Sequence, residues 1–94
     1  MRYLLTPAAE RDLEEIWLYS ARIWSPERAE SYAGDIIDAF ENLASGARGG
    51  LPVEAFPRYR KYLVGRHVIF FRAGEAGLVV VRVLHQSMDP ERHM

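Results

Sequence analysis

The sequence predicts an α+β fold in the order β-α-α-β-β-β, with two antiparallel helices packed on one face of a small, mainly antiparallel four-stranded sheet. Three observations predict it. Thr6-Pro7 and Ser25-Pro26 each pair a helix-capping residue with a proline suited to the first helical turn, and each opens a run of apolar residues at three- and four-residue spacing. Residues 45–57 hold three glycines and two prolines and end the helical pattern. Beyond them lie short segments rich in β-branched and aromatic residues, separated by glycine turns.

Arg2 to Leu5 is short and β-compatible, and reads as a strand ending at Thr6-Pro7. In Ala8 to Ile23 the stripe Ala9, Leu13, Ile16, Trp17, Ser20, Ile23, Trp24 marks a helix, with Glu10, Asp12, Glu14 and Glu15 near its positive N-terminal end. Ser25-Pro26-Glu27 repeats the start signal, so the first helix stops near Trp24 and the second follows a tight corner. Ala29, Tyr32, Ala33, Ile36, Ile37, Phe40, Leu43 and Ala44 form its apolar face until Gly46 offers a stop. After the loop, Tyr59–Leu63, His67–Arg72 and Leu78–His85 read as a meander turned at Val64-Gly65-Arg66 and at Gly74 to Gly77. The last strand is apolar on both faces apart from Arg82, which predicts a central position covered on both sides.

Ninety-four residues suit one domain with a modest core, and 49% apolar with 27% charged content argues against disorder. The absence of cysteine excludes disulfides, thiolate metal sites and a cysteine nucleophile. Charges at Arg2 and from Glu10 onward leave no apolar run that would serve as a signal peptide or membrane helix, so cytoplasm is the expected location. His67, His85 and His93 match no metal-ligand spacing, no glycine-rich phosphate loop follows a strand, and no cofactor is implied.

Net charge is −1, but residues 1–47 carry nine acids and four bases (−5) and residues 48–94 carry four acids and eight bases (+4). Eleven of the twelve bases are arginine, whose planar fork pairs with carboxylate or phosphate. Arg58, Arg60, Lys61, Arg66, Arg72 and Arg82 interleave with Tyr59, Tyr62, Phe70 and Phe71, the composition of a nucleic-acid surface or of a groove for an acidic peptide. A solvated sheet edge would look similar. Arg72 and Arg82 are the stronger candidates, because they share strands with large apolar residues and must reach water or find an anion. The helix acids are expected to face solvent, and both tryptophans to pack in the core, with Trp24 at the corner also placed to meet a partner.

Several segments resemble the ParE toxins of bacterial toxin–antitoxin pairs, within the RelE/ParE superfamily. They are Leu5-Thr6-Pro7-Ala8-Ala9, Asp12-Leu13, Ile16-Trp17, Tyr32-Ala33, Gly65-Arg66-His67-Val68-Ile69-Phe70-Phe71-Arg72 and Arg82-Val83-Leu84-His85-Gln86-Ser87-Met88-Asp89. The resemblance spans nearly the whole chain, and the superfamily's element order is the one read above from caps, periodicity and turns. It implies a non-enzymatic toxin that poisons DNA gyrase when free and is neutralised by a ParD-like antitoxin in a hetero-oligomer, with no sequence-specific DNA binding of its own.

RelE-like relatives instead cut messenger RNA on the ribosome. Here the position that is a catalytic arginine in that pattern is Gln86, no tyrosine follows Tyr62, and His67 falls at another of its basic sites. An mRNA interferase, or an antitoxin-binding protein without toxicity, are the alternatives. For the antitoxin contact the candidates are Arg58, Arg60, Arg72 and Arg82 with Trp24 as an apolar anchor, or else a groove on the helix pair that takes an amphipathic helix. For the toxin's target they are His85, Gln86 and Arg92, on a tail with no obvious fold of its own.

Overall fold

Both long helices begin where a hydroxyl satisfies a backbone amide that has no partner within the helix. The computed structural model describes residues 2–94. After strand β1 (Arg2–Leu5), the extended Thr6 accepts a hydrogen bond from the Ala9 amide at 3.1 Å, and α1 (Pro7–Ile23) follows. Ser25 does the same for the Arg28 amide at 3.1 Å and opens α2 (Pro26–Ser45). The two-residue corner Trp24-Ser25 reverses the chain. Gly46, in the left-handed region at φ 83°, ends α2 as its sequence position predicts.

The rest of the chain forms β2 (Leu51–Pro52), β3 (Arg60–Val64), β4 (His67–Gly74), β5 (Gly77–His85) and the short helix α3 (Pro90–His93). The sheet order is β1-β5-β4-β3-β2, with β1 parallel to β5 and every other pair antiparallel. The expected α+β architecture is therefore present, with five strands in place of four. The added strand pairs Leu51 with Lys61 and Pro52 with Arg60. Two residues carry no periodicity to read, and a proline, which cannot donate to a ladder, is tolerated there because β2 lies at the sheet edge.

Strand β5 is central, flanked by β1 and β4. Against β4 it carries a bulge, since Phe70 pairs with Arg82 but Phe71 pairs with Val80, leaving Val81 as the extra residue. The bulge shifts the alternation of side chains. Leu78, Val80 and Val83 join the core beneath the helices, with Ile36, Phe40, Ile69 and Phe71, while Leu84 joins Phe70 and Val53 on the other face. Burying Phe40, Ile36, Ile69 and Val80, all fully enclosed, contributes about 1.5–3 kcal/mol each.

The second face is covered by the loop before β3 and by the C-terminal segment. Phe56 and Tyr59 pack there from the loop before β3, and Met88 and Met94 from the C-terminal segment. The tail thus has a fold, contrary to the sequence expectation. The Gln86 amide donates to the Arg66 carbonyl at 2.8 Å, the Met88 amide to the His85 carbonyl at 2.9 Å, and Asp89 caps α3. A four-residue helix and two methionines leave too little pattern to be recognised without the apolar face they cover. Among the described residues no helix is long and apolar enough to cross a membrane.

Candidate functional site

The central strand loses a neighbour halfway along. Strand β1 accompanies β5 only as far as the Leu5–Val80 pair. Past that point the outer edge of β5 is met by groups from the start of α1. The Thr6 amide donates to the Val80 carbonyl at 3.1 Å and the Thr6 hydroxyl to the Val81 carbonyl at 2.7 Å. The Asp12 carboxylate accepts the Val83 amide at 2.9 Å and both Nε and Nη2 of Arg82 at 2.8 Å. Thr6 and Asp12 therefore take the place of the missing strand.

Asp12 is only 9% exposed, which corrects the expectation that the helix acids all face solvent. Its spacing held the signal, three residues after Ala9 and four before Ile16, on the stripe that α1 buries. The bidentate pair raises the Arg82 pKa further above its ordinary value, so the guanidinium stays charged. Arg82 also donates to the carbonyl of His93, tying the tail to the same point. Its charge is thus already balanced within the fold.

The four arginines named from the sequence do not converge. Arg60 lies opposite Phe71, so both side chains leave one face of the sheet, whereas Arg72 follows Phe71 and leaves the other. Arg60 donates to the Gly50 carbonyl, Arg72 to the Ala73 carbonyl at 3.3 Å, and Arg58 is exposed in the loop before β3.

Where β5 ends, three ring side chains meet. The Tyr32 hydroxyl lies 2.6 Å from Nδ1 of His67, accepts the Arg66 amide at 3.2 Å and lies 3.2 Å from the Val64 carbonyl. The His67 and His85 rings stand edge to face at 5.4 Å, as their pairing across β4 and β5 requires. Burial, then the neighbouring His85, push the His67 pKa below its ordinary value, with Asp12 opposing weakly. Burial also pushes the Tyr32 phenol up. The Tyr32 hydroxyl donates its proton to the Val64 carbonyl and so can accept from both the Arg66 amide and His67 Nδ1. His85 Nδ1 lies 2.7 Å from the Ser87 hydroxyl.

Gly65 permits this approach. At φ 57° it occupies the first central position of the β3–β4 hairpin, and a Cβ there would stand 2.7 Å from the Tyr32 ring. The sequence marks Tyr32 as a core residue of α2 and as part of the Tyr32-Ala33 motif, but not as a member of this cluster, because its hydroxyl partners lie more than thirty positions away.

Between this cluster and the end of α1 runs a cleft of about 640 Å³, lined by Tyr19, Ser20, Ile23, Trp24, Arg28, Tyr32, Gly65, Arg66, His67 and His85. A second, of about 300 Å³, adjoins it and reaches Asp12, Arg82 and Met88. Trp24 is 51% exposed, not buried as its place on the stripe predicts. Its ring meets Tyr32 edge to face at 6.2 Å, and the Arg28 guanidinium lies 5.0 Å over it. Leu18, Tyr19 and Ile23 are more than half exposed and continue this apolar surface along α1. Trp17 is half-buried. Of the target-binding candidates, His85 lines the cleft, while Gln86 and Arg92 are exposed on the tail beyond it.

Comparison with known proteins agrees with this fold. A family model described as the ParE toxin of the type II toxin–antitoxin system parDE matches residues 3–90. Toxin ParE1 of Mycobacterium tuberculosis is 42% identical over 95 aligned positions, covering 99% of this chain and 97% of the relative. Toxin ParE1 of Caulobacter vibrioides is 38% identical, covering 98% and 96%. Among solved structures, a chain of the chromosomal ParDE system from P. aeruginosa superposes with a TM-score of 0.79 at 22% identity, over 90% of this chain and 95% of that one.

Proposed function

The chain belongs to the ParE toxin family of type II toxin–antitoxin systems, and from that premise we propose that it inhibits DNA gyrase without chemistry of its own and is held inactive by a ParD-like antitoxin. The observation that carries this reading is the family match along almost the whole chain. Two features of the site support it. At the position of the ribonuclease relatives' arginine stands an exposed, uncharged Gln86. The exposed row Leu18, Tyr19, Ile23 and Trp24 along α1, beside Arg22 and Arg28, offers an amphipathic antitoxin helix both an apolar seat and partners for its acids.

Purified toxin added to gyrase should abolish supercoiling and raise the amount of cleaved DNA, and a stoichiometric ParD-like antitoxin should reverse both. Unchanged supercoiling with unchanged cleavage would overturn the gyrase reading. A second reading, ribosome-dependent cleavage of messenger RNA, is favoured by the Tyr32–His67–His85 cluster, which sets a phenol and two imidazoles side by side, side-chain types suited to general acid–base chemistry. Cleavage that disappears in His67→Gln or His85→Gln while the protein stays folded would select it.

A further inference from the structure

The larger cleft sets basic side chains beside exposed aromatic rings. Its ten lining residues include Arg28, Arg66, His67 and His85 and no carboxylate, although acids outnumber bases in the chain. Among the described residues neither Arg28 nor Arg66 is paired with a carboxylate, the Arg82–Asp12 bridge being the only ion pair. Arg28 is committed only to the face of Trp24, which leaves its N–H groups available. The cleft volume of about 640 Å³ lies within the range of about 300–1,000 Å³ typical of small-molecule sites.

We propose that this cleft binds a nucleoside 5′-phosphate, with the phosphate held by Arg66, His67 and His85 and the base placed against Trp24 and Tyr32 beside Arg28. Each part of the ligand answers one part of the lining. The rigid guanidinium fork matches phosphate oxygens, and a pair of imidazoles 5.4 Å apart adds ring N–H donors. The half-exposed Trp24 ring, fixed edge-on by Tyr32, gives a base a stacking surface. The same chemistry reaches the cleft as a free nucleotide or as the 5′-phosphorylated end of a single strand. The inference rests on the lining and not on gyrase as the target.

The test uses the purified chain with thymidine 5′-monophosphate, thymidine and a 5′-phosphorylated six-nucleotide DNA strand, followed by tryptophan fluorescence and by the ring-proton resonances of His67 and His85. The phosphorylated probes are expected to bind and to shift both histidines, and thymidine to bind at least about tenfold more weakly, as loss of a charge-assisted contact predicts. Arg66→Gln and Arg28→Gln, both at exposed positions, should each weaken binding about tenfold or more with the melting temperature unchanged. A strand that binds at least about tenfold more tightly than the mononucleotide identifies the strand end as ligand, and equal affinities identify the free nucleotide. No binding by any phosphorylated probe would overturn the proposal. So would binding that ignores both arginine variants or fails to distinguish thymidine from its phosphate.

Discussion

The two halves of β5 differ in what lies beside them. From Gly77 to Val80 the strand has β1 on one side and β4 on the other, and its buried side chains are apolar. From Val81 to His85 it has β4 on one side and Thr6 and Asp12 on the other, and it carries Arg82 and His85 beside the cleft. One half builds the core. The other leaves backbone groups that need partners and an edge where charged and titratable side chains reach both protein and solvent. In this fold the charged and titratable side chains of β5 collect where its pairing with β1 stops.

Substitutions in each half should separate these roles. The largest loss is expected in the closed half. Phe71→Ala, opposite Val80, should cost about 3–5 kcal/mol in denaturant unfolding, because a large buried ring leaves a cavity among α2, β4 and β5. Asp12→Ala comes next, at about 2–4 kcal/mol, since it leaves both Arg82 and the Val83 amide without their acceptor. A cost below about 1 kcal/mol would reduce Asp12 to a surface ion pair and remove the reason for treating the open half as built.

A smaller effect should follow pH. The folded-state pKa of His67 lies below its unfolded value, so the native state binds fewer protons between the two. Stability should therefore be full above about pH 6.5, the ordinary histidine value, and decline as pH falls toward the folded value, with His85 adding to the decline and Asp12 opposing it. His67→Gln should flatten the melting-temperature profile between about pH 5 and pH 7 relative to the parent. An unaltered profile would assign the decline to other groups. Least of all should Trp24→Ala alter stability, by about 1 kcal/mol for the Tyr32 and Arg28 contacts of a half-exposed ring, while weakening antitoxin binding about tenfold or more in a titration. Unchanged antitoxin affinity would move the docking surface off the end of α1.

The sequence by itself determined the element order, both helix starts, the Gly46 stop, both hairpin turns and the central place of the last strand. These are local or periodic properties, written within a few residues of where they act. It also carried the family, through motifs along most of the chain. Tertiary structure decided what depends on distant partners. It made Asp12 a buried acceptor for Arg82 across seventy positions, brought Tyr32 to His67 and His85, added β2, and folded the tail onto Phe70 and Leu84. It also kept Arg60 and Arg72 apart, because the β3–β4 register sets Arg60 opposite Phe71 and so sends Arg72, the next residue, to the other face. A side chain's type fixes what it can bond to, but only packing decides which bonds it makes within the fold and which remain open to a partner.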